Sequence, residues 1–152
     1  MSLFKRLLLV IALGAATLPV VGASSVKVFK VLPQFIDLEG RHALSPSLYD
    51  RDAYQAYLRE HLEKRSGMRF AVEWKSGNSM PLKLRVELRG YRAGQPTSSR
   101  LEESVRHKGW FGSWAYPTIK GDDYKQLGDL TSWRVTFWDG DTMVAEQKSF
   151  LW

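Results

Sequence analysis

Apolar and polar positions alternate most regularly in two segments near the middle of the chain. In both segments every second residue is apolar and the residues between are mostly charged: Met68, Phe70, Val72 and Trp74 in the first, and Leu82, Leu84, Val86 and Leu88 in the second. A period of two is typical of strands with one buried and one solvated face. The pattern therefore predicts strands at 68–74 and 82–88.

The charged positions bear on whether these two strands are neighbours. In one hairpin register Glu73 lies opposite Lys83 and Arg69 lies opposite Glu87. Opposed unlike charges favour that register modestly. The alternative is a crossover that puts the two strands in different sheets of a sandwich. The charge pattern favours the hairpin.

The segments before these strands predict one strand and one helix. Val26 to Leu32 is β-branched and partly alternating, and the following stretch to Leu48 contains turn residues and reads as irregular. Between 50 and 65 apolar residues recur at spacings of three and four, with Asp50 as a possible cap and Gly67 beyond the end. We expect this to be the one substantial helix.

Weaker patterns follow the second strand. Residues 90–100 predict a loop by composition, and 101–107 a weaker strand. The aromatic segment that comes next, 110–116, contains a further candidate strand, and residues 121–124 predict a turn that begins a short helix.

The end of the chain predicts a hairpin around Asp139-Gly140, with strands from Trp133 and from Met143 to the last residue. A two-residue turn sets Trp133 opposite Glu146, whereas a three-residue loop pairs Phe137 with Met143 and Arg134 with Glu146. Side-chain matching favours the longer loop. In the return strand the apolar residues move from odd-numbered to even-numbered positions, which predicts a bulge at 147–149.

About seven strands with turns between them give a mainly all-β chain. It resembles an antiparallel immunoglobulin-like or fibronectin type III sandwich, with one helix in an early connection. The resemblance is architectural and covers residues 26–152 loosely. It implies a fold and no function.

The first 23 residues predict a cleaved signal peptide. Lys5 and Arg6 precede an apolar stretch, Pro19 ends it, and Val21-Gly22-Ala23 supplies small residues for cleavage after Ala23. An uncleaved anchor is the alternative, but the apolar stretch is shorter than the ~20 residues that a spanning helix needs. We therefore expect one mature domain, residues 24–152, without a permanent membrane anchor.

Cysteine and charge content narrow the location and the partners. The chain has no cysteine, so it has no disulfide and no lipid-bearing Cys after the signal. These features favour a bacterial periplasmic protein, with secretion as the second choice. The net charge of +6 falls to +4 without Lys5 and Arg6. That mild excess favours solubility, and we expect no nucleic-acid partner.

Catalytic and metal-binding patterns are weak throughout the sequence. Ser113 is the nearest candidate nucleophile, in a sequence without a nucleophile elbow. The three histidines, His42, His61 and His107, are scattered and lack the spacing of a zinc site. We predict no catalytic residue, no metal and no cofactor.

Two groups of residues remain as candidate binding surfaces. The first is aromatic: Trp110, Phe111, Trp114 and Tyr116. It can stack on sugar rings or accept a peptide strand, although a small domain must bury most large apolar side chains, which favours a place in the core. The second is a predicted basic sheet face: Arg69, Lys75, Lys83, Arg85 and Arg89. Glu73 and Glu87 interrupt it, which favours a solvated, salt-bridged face over an anion site.

The functional hypothesis is a non-enzymatic exported domain that contacts another envelope protein or a glycan, with a protein as the favoured partner. One alternative is a small periplasmic hydrolase with an unrecognised acidic site. The other is a module that binds an anionic polymer through the basic face.

Overall fold

The computed structural model describes residues 25–152, and the predicted signal peptide lies outside the described residues. Two antiparallel sheets face each other in a sandwich-like arrangement with few helices. This confirms the expectation of a mainly β protein.

The elements, in chain order, have the following bounds. The strands are β1 (Val26–Asp37), β2 (Arg65–Ser76), β3 (Pro81–Arg92), β4 (Gln95–Arg106), β5 (Ser113–Ala115), β6 (Thr118–Lys120), β7 (Asp129–Asp139) and β8 (Thr142–Lys148). The helices are α1 (Leu48–Glu60), a 3-10 turn (Leu62–Lys64) and α2 (Gly121–Leu127).

The first sheet has β2 at its centre, with β1 on one side and the short strands β5 and β6 on the other. Between β5 and β6 the chain stays on β2, because Phe70 N donates a 2.9 Å hydrogen bond to Pro117 O. The second sheet has the order β4-β3-β7-β8. The consecutive strands β2 and β3 therefore lie in different sheets.

That arrangement shows that the predicted hairpin of 68–74 with 82–88 is wrong and that the crossover alternative is right. Phe70 of β2 and Leu84 of β3 are both fully buried in one core, from opposite sheets. Burying such side chains contributes about 1.5–3 kcal/mol each. Opposed charge pairs contribute only about 0.2–1 kcal/mol. Burial of the two apolar faces against each other therefore decides the pairing.

Residues 90–100 are not a loop, which corrects a second prediction. Strand β3 runs on to Arg92, and β4 returns from Gln95 after the two-residue turn Ala93-Gly94. Both turn residues have positive φ (48° and 81°), as a tight hairpin turn requires. The composition resembled a loop because β4 is a polar strand at the edge of its sheet.

Near the start of the domain the predicted elements need smaller corrections. Strand β1 extends five residues further than predicted, to Asp37, and the helix runs over 48–60 instead of 50–65. Its N-cap is Ser47, whose hydroxyl accepts a 3.4 Å hydrogen bond from the backbone N–H of Asp50. The predicted turn at 121–124 is the start of α2.

The last hairpin is present, but neither predicted register is right. Gly140 and Asp141 form a two-residue turn, so that Asp139 lies opposite Thr142 and, after an irregularity, Phe137 lies opposite Ala145. The irregularity therefore falls near the turn and not at 147–149. Arg134 still reaches Glu146 at 2.6 Å from a diagonal position. The matched charges identified an ion pair but not the register.

The core lies between the sheets and consists of alternate residues from the central strands. Its largest fully buried side chains are Trp74, Phe70, Phe137, Leu84 and Leu88. Leu58 of α1 is also fully buried but does not belong to this cluster. Within residues 25–152 no helix has the length and apolar character to cross a bilayer.

Candidate binding surface

Four aromatic residues lie together around the short edge strand β5, and we call them the aromatic surface: Trp110, Phe111, Trp114 and Tyr116. Trp110 and Phe111 belong to the connection from β4 to β5, where their exposed fractions are 90% and 87%. Large apolar side chains exposed together in this way are typical of interaction sites.

Trp114 and Tyr116 stand on the outer face of the first sheet. Alternate residues of a strand point to opposite faces, and the inward positions here belong to Ser113 and the buried Ala115. The rings of Trp114 and Tyr116 are nearly parallel, with an interplanar angle of 9° and centroids 6.2 Å apart. Each ring is partly exposed, at 43% and 47%.

These positions contradict the interpretation that the aromatic run fills the core. The inward side of β5 carries only small side chains, and the core beside it is already filled by Phe70, Trp74 and Phe137. The sequence did not reveal this, because the rings alternate with Ser113 and Ala115, which fit either face.

Arg69 of β2 joins the aromatic surface from the neighbouring strand. Its guanidinium lies 4.7 Å from the centroid of the Tyr116 ring, within the range of a cation–π contact. Its Nε donates a 2.8 Å hydrogen bond to Oε1 of the buried Gln34. Burial lowers the pKa of Arg69 from its usual value, and the charge of Tyr116 opposes that shift. The cation is therefore partly desolvated and held in place on two sides.

A groove of about 1160 Å³ runs past Arg69 over the outer face of the first sheet. Its floor includes Ile36, Arg69, Tyr116 and Thr118. Four cationic side chains line it against two carboxylates: Arg65, Arg69, Lys120 and Lys125 against Glu39 and Glu63. The groove therefore has an excess of positive charge.

His42 lies in the same positive potential, and its pKa is affected by it. The pKa of His42 is lowered from its usual value, first because its ring is partly buried and then because Arg69 and Arg51 disfavour a further positive charge. A neutral His42 adds no repulsion to the two arginines at neutral pH.

One edge of β5 is open. Among the described strands β5 pairs only with β2. Since Pro117 O points to β2, the alternation of backbone groups along an antiparallel strand turns those of Ala115 the same way and those of Trp114 outward. The backbone N–H and C=O of Trp114 thus face the open side, beside the exposed rings.

The predicted basic face is divided between the two sheets. Arg69 and Lys75 lie on β2, whereas Lys83, Arg85 and Arg89 lie on β3. Arg85 is 2.6 Å from Glu102 and lies over the ring of Trp138 at 4.7 Å. Arg89 lies over Trp152 at 3.9 Å. On the second sheet these cations are mostly engaged, as a solvated, salt-bridged face requires.

The Ser113 hydroxyl lies 2.9 Å from Nδ1 of His107. His107 is buried beside Trp74, and its Nε2 has no hydrogen-bond partner within residues 25–152. A catalytic histidine needs a third group to orient it and an accessible nucleophile beside it. Over the same residues, no three His, Asp or Glu side chains gather as metal ligands.

Sequence reasoning found the four aromatic residues and named Arg69 as part of a basic face, but it did not place Arg69 beside Tyr116. Arg69 and Tyr116 are 47 positions apart, and neither the groove nor Gln34 leaves a local pattern. Comparisons with protein families, curated proteins and solved structures found no match. The geometry of the aromatic surface and its groove is therefore the basis on which a function can be proposed.

Proposed function

We propose that the chain is an exported, non-enzymatic interaction domain that binds an extended segment of another envelope protein at the aromatic surface. The observation that carries this proposal is the exposure of Trp110 and Phe111 beside the open edge of β5. Trp, Tyr and Arg are the residues that most often dominate the energy of protein interfaces, and Arg69 adds the third type.

A protein partner fits this surface because it can use both of its features. An extended segment can form main-chain hydrogen bonds with the outward groups of Trp114 and place alternate side chains against the rings. A glycan is the second candidate. The nearly parallel rings of Trp114 and Tyr116 favour it, since aromatic faces stack on sugar rings.

Two broader features belong to the same proposal. Export rests on the signal-peptide pattern of residues 1–23, which makes the periplasm the favoured location and secretion the second. An immunoglobulin-like or fibronectin type III relationship is supported by the two antiparallel sheets and by the crossings from β2 to β3 and from β4 to β5.

The two other hypotheses receive less support from the described residues. Binding of an anionic polymer through one basic face loses its basis, because Arg69 lies on a different sheet from Lys83, Arg85 and Arg89. A hydrolase would need two acids in a cleft. Asp122 and Asp123 instead lie in the exposed first turn of α2.

The test is crosslinking in the native envelope with three forms of the full chain. These are the wild type, the double variant Trp110→Ala/Phe111→Ala, and the control Tyr49→Ala, which removes an equally exposed ring from α1. We expect one crosslinked protein to be recovered with the wild type and the control and to be lost with the double variant. Equal recovery from all three forms would contradict the proposal.

A further inference from the structure

We infer that Arg69 makes the aromatic surface selective for an acidic peptide segment, whose Asp or Glu carboxylate binds the terminal nitrogens of Arg69 beside Tyr116. This inference rests on the proposed function and names the chemistry of the partner.

The bonding of Arg69 leaves two donor groups free. Nε is committed to Gln34, and the plane of the guanidinium is supported by the Tyr116 ring. Across residues 25–152 the two terminal nitrogens have no hydrogen-bond acceptor. Such a fork matches a carboxylate, which accepts two parallel hydrogen bonds.

The other partly buried arginines of the described chain are satisfied. Arg51, Arg85 and Arg134 each have a carboxylate oxygen within 3.0 Å. Arg65 donates to the backbone carbonyls of Leu58 and Arg59. Arg69 has no carboxylate in that range, and only its Nε has an acceptor, the amide oxygen of Gln34. A partly desolvated cation without a counter-ion costs free energy, and a bound carboxylate would recover it.

Charge complementarity points to the same ligand. The groove beside Arg69 is lined by four cations and two carboxylates. Glu39 is already paired with Arg41 at 2.8 Å and Lys125 with Asp122 at 3.7 Å, which leaves three cations against Glu63. His42, the titratable neighbour on the α1 side, is disfavoured as a cation by Arg69. An acidic segment is therefore attracted, and a basic one is repelled.

The distance from the open edge of β5 to Arg69 is short enough for a peptide side chain to span. A strand added to the open edge of β5 would lie two strand spacings, or about 10 Å, from β2. Arg69 already spans part of this distance, since its guanidinium lies over Tyr116 at the edge. An Asp or Glu on the outer face of the added strand can cover the remainder.

The experiment uses a library of random octapeptides as the probe, with wild-type protein, Arg69→Gln and the control Arg100→Gln. Arg100 is an exposed cation of β4, and its substitution changes the net charge by the same amount. We expect the wild type to select peptides enriched in Asp or Glu. Arg69→Gln is expected to bind the selected peptides at least about tenfold more weakly, as the loss of a charged hydrogen-bonded pair implies. Arg100→Gln is expected to bind them as the wild type does.

A second measurement separates a direct contact from a loss of folding. Changing the selected acid in the peptide to its amide is expected to weaken binding to the wild type about as much as Arg69→Gln does, and to leave binding to Arg69→Gln unchanged. Thermal unfolding verifies that both variants fold.

The outcomes distinguish this inference from the function on which it rests. Selection of neutral peptides, or unchanged binding by Arg69→Gln, would overturn the role of Arg69 while the peptide-binding function stands. Failure to select any peptide would overturn the peptide-binding function itself. Binding of an acidic polysaccharide in place of peptides would overturn the assignment of the partner as a protein.

Discussion

The hydroxyl of Tyr54 on α1 donates a 2.6 Å hydrogen bond to Oδ2 of Asp37, the last residue of β1. The same carboxylate accepts hydrogen bonds from Nε of Arg41 at 2.8 Å and from the backbone N–H groups of Glu39 and Arg41. One buried acid thus connects the helix, the loop after β1 and the first sheet.

We expect the Asp37 carboxylate to make the free energy of unfolding depend on pH in the acidic range. Burial alone would raise the pKa of Asp37, but the hydrogen bonds from Tyr54, Arg41 and Glu39 lower it to about 2 from 3.8. Because the folded pKa lies below the unfolded one, the contribution of about 2 kcal/mol is complete above pH 4 and is lost as the pH falls toward 2. Urea unfolding at several pH values measures it.

Two substitutions separate this group from the other carboxylates. Asp37→Asn is expected to lose most of that stability at pH 7 and to flatten the change between pH 4 and 2. Asp52→Asn removes an exposed ion pair with Arg51 and is expected to change stability by less than about 1 kcal/mol. If the two variants unfolded at the same urea concentration, the role assigned to Asp37 would be wrong.

A second prediction concerns the aromatic surface and uses stability as the measurement. Trp110→Ala and Phe111→Ala are expected to change the free energy of unfolding by no more than about 0.5 kcal/mol, because both rings are exposed. Trp114→Ala is expected to cost about 1–2 kcal/mol, since half of its ring is covered. Phe70→Ala, in the core, is expected to cost about 3–5 kcal/mol. A loss at Trp114 as large as that at Phe70 would place the ring in the core.

The sequence predicted which residues face inward much better than it predicted which strands are neighbours. The alternation at Phe70 and Leu84 determined the buried face of β2 and of β3, and both residues are fully buried. The same alternation is satisfied whether these strands pair or face each other across the core. The choice between sheets comes from long-range burial, which the charges of Arg69 and Glu87 do not encode.

Edge strands limited the prediction in a related way. Strand β4 has polar residues on both faces over its first half, Thr97 and Ser99 on the inner face and Ser98 and Arg100 on the outer one, so its composition resembled a loop. The face of the strand on which Trp114 lies was equally ambiguous, because Ser113 and Ala115 fit either the buried or the exposed face. Residues at a sheet edge have fewer neighbours to satisfy, and their sequences are correspondingly less constrained.

A third prediction tests the close approach of β6 to β2. A Cβ added at Gly67 would clash with the backbone O of Ile119 and lie 2.9 Å from Cα of Lys120, which β6 cannot avoid without leaving β2. Gly67→Ala is therefore expected to cost about 1–3 kcal/mol. In the control Gly112→Ala, the nearest atom is Oε1 of Glu73 at 3.2 Å, at the end of a flexible side chain. That variant is expected to unfold near the wild-type temperature, and a similar loss in both would contradict the packing argument.

The last prediction concerns Glu103 on the edge strand β4. It lies opposite the buried Leu84 on the inner face, between Leu101 and Val105, which pack against the core. Burial raises the pKa of Glu103 from its usual value. Because the folded pKa lies above the unfolded one, the ionised form opposes folding, and this penalty develops as the pH rises through the range of a normal carboxyl.

Replacing Glu103 by Gln is therefore expected to raise stability at pH 7, and the gain is expected to disappear below about pH 4. The adjacent Glu102 lies on the outer face, and its pKa shifts in the opposite direction. A hydrogen bond from Arg85 lowers the pKa of Glu102, so Glu102→Gln is expected to lower stability at pH 7.

The inward charge of Glu103 on an open edge also discourages pairing with a second chain. Glu103→Leu is accordingly expected to associate at high concentration in analytical ultracentrifugation, whereas a monomeric Glu103→Leu would show that this carboxylate does not protect the edge.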